Sequence, residues 1–468
     1  MRLFGITAWI IIAFALSLDA QSRSPRPTRP AISQPYALHT FTQGREITTL
    51  PAILKQRDRS EAVNRMLRDR LDNLLPALMR EAGIDLWLII NREYAEDPVY
   101  LTLVPEPVFA ARRTTMLVIH DRGPEKGVER LTISRYGLQG LYQPAWDGGS
   151  DAEQWKRLAA VIAERNPKTI AIDTSRHWAF GDGLTAGLRD QLMEVLTTDL
   201  RSRIVSAESL AIRWLETRTA MELEVYPQIV ALARGVIAEA FSNRVITPGV
   251  TTTDDVAWYI RQRYAELDLP VWFMPYVNIQ RRGKTYEPDT SFFGESGIIQ
   301  RGDVLHTDVG ISYLRLNTDT QEMGYVLRPG EENVPVGLVI ALEKGNRWQD
   351  LLVRELVSGR TGNEILAAAR SAAEREGIVA TIYTHPLGFF GHGPGPTIGM
   401  WDNQGPTPIR GDWKLHPSTA YAIEGDVKVK IPEWDDQMVQ IKLEQSAVFD
   451  GSKLWYLAGR QTKWHVIR

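Results

Sequence analysis

Between Gly302 and Gly324 the sequence reads GDVLHTDVGISYLRLNTDTQEMG, and no other stretch constrains the fold as much. Val304, Leu305, Val309 and Ile311 favour a strand, and the run from Tyr313 to Tyr325 again mixes apolar and polar residues at a spacing near two. Two antiparallel arms would set Asp308 and Asp319, eleven residues apart, across adjacent strands and facing one pocket. Carboxylates brought together without a partner repel and resist ionisation, so the pair asks for a cation. A single Asp is more often a solvated turn or edge residue. The rest of the chain decides between the two readings.

The 468 residues contain no cysteine, which removes disulfides, thiolate metal sites, cysteine nucleophiles and a lipid-anchored cysteine together. A metal must then be held by carboxylates and imidazoles. With 44% apolar and 24% charged residues the composition is that of a globular protein, long enough for about two to three domains. A net charge of −3 and an isoelectric point near 6.3 leave no basic footprint, so nucleic acid is excluded as a partner.

Residues 1–20 read as a signal peptide: Arg2 is the basic start, Phe4 to Leu18 is mostly apolar, and Ala20 is a small residue before Gln21. As a helix the apolar run is about 22 Å long, short of the roughly 30 Å hydrocarbon core. The expected location is secreted or periplasmic, with no stable membrane partner once the leader is cleaved; the alternative is a retained N-terminal anchor. Residues 21–58 form a linker and N-terminal extension, with Pro25, Pro27, Pro30 and Pro35 among Ser and Arg.

From Arg59 the spacing of Val63, Met66, Leu67, Leu71, Leu74 and Leu78 predicts a helix that Pro76 kinks in its last turn and Gly83 stops. Strands follow at Leu86 to Ile90, Thr115 to Ile119, Leu131 to Ser134 and Thr169 to Ile172, with a helix around Ala152 to Arg165. Strands alternating with helices predict a smaller α/β domain over 59–215. Its histidines, His39, His120 and His177, are scattered, so it reads as a packing or substrate-gating domain. The second domain, 216–468, opens with a helix from Met221 to Phe241 in which Pro227 marks the first turn. A weak repeat then opens two more helices, at Thr251-x-x-Asp254 and Thr361-x-x-Glu364, each as a capping box.

Three further elements carry candidate ligands. His385 and His392 stand seven residues apart in a glycine-rich segment, Glu424 follows in AIEG, and Glu444 ends an alternating pattern from Met438 to Leu443. The ordered set Asp308, Asp319, His385, Glu424, Glu444 resembles the creatinase, aminopeptidase P, prolidase and methionine aminopeptidase family, nearest its secreted Xaa-Pro aminopeptidase-like members. The resemblance covers both domains and rests on the whole ordered set, including the Asp-to-Asp and His-to-His spacings.

The resemblance implies an α+β pita-bread catalytic domain behind a creatinase-type N-terminal domain. It further implies two divalent ions, Mn²⁺ first with Zn²⁺ or Co²⁺ as alternatives. Asp308 would hold one ion, His385 and Glu424 the other, and Asp319 and Glu444 both. A hydroxide shared by the ions would attack the substrate, Glu424 would accept its proton, and His392 would hydrogen-bond the scissile amide or the tetrahedral intermediate. The implied activity is that of a metal-dependent aminopeptidase or dipeptidase acting on an N-terminal peptide bond, with Xaa-Pro as a candidate substrate. The expected partners are a peptide substrate and, at most, a second copy of the chain in a homodimer.

The chain departs from the family pattern in places. No histidine lies between His177 and His306, Lys442 stands where the family tends to have Arg, and Gly425 follows Glu424 where Pro is usual. These departures leave the metal set intact and bear on the preference for proline; the absent upstream histidine supports an alternative reading, a weak or inactive member acting as a binding or scaffold protein. A creatinase-like hydrolase without metal is disfavoured by the intact carboxylate set, and no Gly-x-Ser-x-Gly elbow supports a serine hydrolase. His306 falls two residues before Asp308 and so on the same strand face, where it is expected to take over part of the catalytic work of the absent histidine, by binding substrate or by orienting a ligand carboxylate; the alternative is a histidine packed under the hairpin.

Overall fold

The computed structural model describes residues 50–284 and 297–468. The leader, the proline-rich linker and His39 lie outside the described residues. Among those described, no helix is long and apolar enough to cross a membrane.

The predicted first helix is interrupted: Gln56–Asp69 is α-helical, Arg70–Leu74 forms a π-turn, and Leu75–Glu81 resumes the α-helix. Pro76 falls in the first turn of the resumed helix, where a missing N–H costs nothing, instead of kinking a last turn. The wider turn just before it absorbs the register change.

Six strands form the first sheet: β1 (Leu86–Arg92), β2 (Thr114–Asp121), β3 (Val128–Thr132), β4 (Gln143–Pro144), β5 (Ile170–Ile172) and β6 (Ile204–Ser206), in the order β4-β3-β2-β1-β5-β6. The sheet is mixed, because β2 pairs antiparallel with both β1 and β3. Alternation along β1 sends Trp87 and Ile89 to one core and Leu86, Leu88 and Ile90 to the other, so helices cover both faces. Every strand of this sheet precedes Glu216, and every strand of the second follows it.

The helix Ala220–Ala240 opens the second half from a Thr219–Glu222 capping box. Pro227 therefore lies inside this helix and not at its first turn, since the cap at Thr219 supplies a stronger start than the proline. The next helix, Thr253–Glu266, is likewise capped one residue later than the sequence suggests, by Thr252 with Asp255. Thr361 caps Gly362–Arg375 through Glu364 as expected.

The second sheet has nine strands. These are β7 (Tyr276–Gln280), β8 (Val304–Val309), β11 (Thr320–Val326), β12 (Ala380–Ile382), β13 (His385–Leu387), β14 (Thr419–Ile431), β15 (Gln437–Phe449), β16 (Leu454–Tyr456) and β17 (His465–Ile467). The short hairpin of β9 (Ser312–Tyr313) and β10 (Leu316–Asn317) sits between β8 and β11. β14 and β15 alternate cleanly. Ile423, Val427, Val429 and Ile431 with Ile441 and Leu443 pack on the helix Val336–Glu355, whose Gly345 admits Ile441 and Leu443 at a distance no larger residue allows. The polar residues between them turn to the other, concave side.

The two halves are tied together by ion pairs. Arg70 pairs with Glu222 at 3.0 Å, and Arg315 pairs with Glu106 at 2.9 Å. The guanidinium groups of Arg70 and Arg218 both lie 4.7 Å from the Phe389 ring, gripping the loop that carries His392.

Candidate metal centre

One row of side chains crosses five strands. Tyr276 on β7 pairs with Asp308 on β8, Asp308 with Gln321 on β11, Gln321 with Glu444 on β15, and Glu444 with Glu424 on β14. Directly paired residues share a face, so all five point into the concave side. The ladder pair between β11 and β15 is Gln321–Glu444, which makes Gln321 the joint between the two arms of the sheet. Glu444 thus stands inside a strand that continues to Phe449, beyond the end that the alternation suggests.

A second row lies two residues along. His385 on β13 pairs with Ala422, and Ala422 with Ser446, whose hydroxyl donates to the Asp319 carbonyl at 3.1 Å. Ala422 and Ser446 are small, which leaves a hollow between His385 and Asp319.

His385 Nδ1–H donates to the carbonyl of Pro386 at 3.2 Å, leaving a lone pair on Nε2. That nitrogen lies 3.5 Å from Glu444 Oε1 and 3.6 Å from both Asp319 Oδ2 and Glu424 Oε2. These separations are too long for hydrogen bonds, and they are those of atoms around a common ion bound at about 2.1 Å. His385 Nε2, Asp308 Oδ1, Asp319 Oδ1 and Glu444 Oε1 are buried with no hydrogen-bond partner. Three overlapping groups could each hold an ion: His385, Glu424 and Glu444; Asp308, Asp319 and Glu444; and Asp319, His385 and His392. The residues fit the divalent ions that the ligand types suggest.

The electrostatics point the same way. Burial, then Glu424, pushes the Asp308 carboxyl up to about 7. Burial drives Asp319 and Glu444 well above the carboxylate range, reinforced for Asp319 by Glu444 and for Glu444 by Glu424. Burial alone would lower His385, but the approach of Glu424 and Asp319 raises it. The site holds more negative charge than it can ionise unaided.

Gln321 Nε2 donates to Glu424 Oε1 at 2.7 Å and to Glu444 Oε2 at 3.0 Å. Its Oε1 must then accept, so His306 Nε2, 2.9 Å away, carries the proton. Tyr276 donates its hydroxyl to Asp308 Oδ2 at 2.9 Å. His306 shares the face of Asp308 but is buried and does not line the cavity. Of the two parts expected for it, this place behind Gln321 suits orienting a ligand carboxylate and not touching substrate.

His392 faces the cavity with its ring centroid 4.7 Å from His385 and 5.1 Å from Trp272. Loss of water, then His385, lowers its pKa to about 4, so it is neutral near pH 7. Trp272 is clamped: its Nε1 donates to the Thr318 carbonyl at 2.8 Å, and a Cβ on Gly310 or Gly391 would overlap its ring. Sequence reasoning passed over Gln321, Tyr276 and Trp272. For Gln321 a signal existed, since it lies two residues after Asp319 and shares its face. Tyr276 and Trp272 owe their places to pairings distant in the chain.

Residues 226–448 match the sequence model of metallopeptidase family M24. No curated protein matches the chain by sequence. Several solved structures are similar over most of its length, three of which follow. The X-Pro aminopeptidase from Thermotoga maritima MSB8 has a TM-score of 0.60 at 17% identity, covering 83% of this chain and 99% of that one. The Xaa-Pro dipeptidase from Bacillus anthracis has a TM-score of 0.56 at 17% identity, covering 88% and 100%. The prolidase from Pyrococcus horikoshii OT3 has a TM-score of 0.54 at 15% identity, covering 86% and 99%. At these identities the likeness shows the fold, a pita-bread domain behind a smaller N-terminal one.

Proposed function

Because residues 226–448 form a domain of metallopeptidase family M24, we propose that the chain is a dinuclear-metal exopeptidase that hydrolyses an N-terminal peptide bond. Peptides with proline after the first residue are the substrate class suggested by the names of the similar structures. The observation that carries this reading is the set of carboxylate oxygens 3.5–3.6 Å from the unpartnered His385 Nε2, together with a second ligand group sharing Glu444.

In this reading His385 and Glu424 would hold one ion and Asp308 the other, with Asp319 and Glu444 placed to serve both. Mn²⁺ is favoured because carboxylates dominate the set. When bound, the ions offset the carboxylate charge and lower the pKa of water at the site. Glu424, part-exposed to the cavity, accepts the proton of the attacking water. His392, neutral and held by Trp272, presents a ring nitrogen to the substrate amide or to the oxygen that gains charge. Gln321 fixes both glutamates, and Tyr276 fixes Asp308. The apolar leader makes the periplasm or the exterior the proposed location.

The test is metal analysis of chelator-free protein with assays on Xaa-Pro and Xaa-Ala peptides. About two ions per chain with release of the first residue supports the proposal. Full metal without turnover of any peptide would identify a binding protein instead.

A further inference from the structure

The cavity continues past the carboxylates in one direction, and its floor changes sign on the way. From the Glu424–Glu444 pair, the next pairs across β14 and β15 on the same face are Asp426 with Lys442, then Lys428 with Gln440. All four line the cavity. On the other side the floor stops, since Ala422 and Ser446 do not line it and His385, His392 and Trp272 crowd that end.

The Lys428 end is a built floor and not a frayed hairpin. Gln280 Nε2 donates to the Gln440 carbonyl at 2.7 Å, and its Oε1 accepts from the Gln440 N–H at 2.8 Å. Gln437 ties the same end to the chain at Gly283 and Lys284, accepting from the Gly283 N–H at 2.7 Å. Asp426 faces Lys442 across the ladder, and its carboxylate feels both Lys442 and, less strongly, Lys428. Lys428 is exposed to the cavity, and among the described residues no carboxylate lies within ion-pair distance of it. The volume, about 1200 Å³, exceeds the roughly 300–1,000 Å³ of ordinary small-molecule pockets, so a dipeptide leaves much of it unfilled.

We propose that Lys428 forms a carboxylate subsite that reads a negative charge two or three residues beyond the scissile bond. Four residues of strand place it roughly 13 Å from Glu424. An extended peptide advances about 3.3–3.6 Å per residue, and the flexible four-carbon lysine stem shortens the gap. The charge is either the C-terminal carboxylate of a tri- or tetrapeptide or an acidic side chain in a longer one. The inference rests on the exopeptidase reading above and narrows its substrate class.

The test uses the metal-loaded full chain with Ala-Pro-Ala and Ala-Pro-Ala-Ala, each as free acid and as C-terminal amide, and amidated Ala-Pro-Glu-Ala against Ala-Pro-Gln-Ala. Both kcat/KM and a Kd from tryptophan fluorescence are measured, since Trp272 and Trp401 line the cavity. Charged forms are expected to be favoured about three- to tenfold at low salt, as for a partly solvated charged contact, through KM and Kd and not kcat. The preference should shrink as salt screens it. Lys428→Met should bring the ratio near one, Lys428→Arg should keep it, and Lys430→Met, outside the cavity lining, should leave it as in the parent. Preference for free acids alone assigns the C-terminus, and preference for the Glu amide assigns the side chain. Equal binding of acid and amide, or a ratio untouched by Lys428→Met, overturns the subsite. Absence of all turnover overturns the exopeptidase reading, while the fluorescence ratio still decides the subsite by itself.

Discussion

Glu424 and Glu444 stand directly opposite one another in the ladder of β14 and β15, and one amide nitrogen, Gln321 Nε2, serves both. Like charges at directly opposed positions destabilise a sheet. Here a third and a fourth carboxylate, Asp308 and Asp319, share the same hollow. Such a cluster persists when cations occupy it or when protons neutralise it. The unpartnered Nε2 of His385 among the oxygens favours cations.

Glu444 belongs to both carboxylate groups, so Glu444→Ala should lose both ions and all activity. Asp319→Ala should do the same, because Asp319 approaches His385 as well as Asp308 and Glu444. Metal content by elemental analysis, with circular dichroism to verify folding, checks this. Retention of two ions in either variant would sink the assignment.

His392→Ala should retain the metal complement and lower kcat by on the order of 10²-fold, the usual loss when a hydrogen bond to a developing charge is removed. Since His392 also lies close to Asp319 and His385, a fall in metal content would identify it as a ligand.

Gln321→Leu should weaken metal binding by about 10–100-fold, because two ligand carboxylates lose their shared donor. His306→Ala should act in the same direction and less strongly, since it holds only the far end of that amide. A chelator competition titration reads both. If both variants bind metal as tightly as the parent, the Gln321 bridge has no positioning role.

Away from the site, Arg234 lies 2.6 Å from Glu322, and His465 bonds the second oxygen. Burial alone would raise this carboxyl, but the two partners hold it down to about 2. Its folded pKa lies below the unfolded value of about 4.3, so the stabilisation is present above that pH and is lost as pH falls towards 2. The amount is on the order of 3 kcal/mol. Denaturant titrations between about pH 7 and pH 2 should show this loss in the parent. Glu322→Gln should be less stable at neutral pH, with Arg234 left unpaired, and should lose less over the acid interval. An acid limb identical in both would remove Glu322 from the account.

Asp308, Asp319, His385, Glu424 and Glu444, which the structure brings together, could be picked from the sequence chiefly because their order resembles the family's ligand set, helped by strand alternation that sorts polar side chains onto one face. Capping chemistry likewise placed the helix at Thr361, since a cap depends on neighbours three residues apart. Pro227 misled because local preference competes with a stronger cap nearby. The surroundings of His306 were also decided elsewhere, by the Gln321 side chain that stands between it and the two glutamates. What only the tertiary structure decided is the joint: that Gln321 ties β8 to β15, that Tyr276 reaches Asp308, and that Trp272 wedges against two glycines beside His392. Each rests on contacts between segments far apart in the chain, and no periodicity within one segment records which strand will lie beside it.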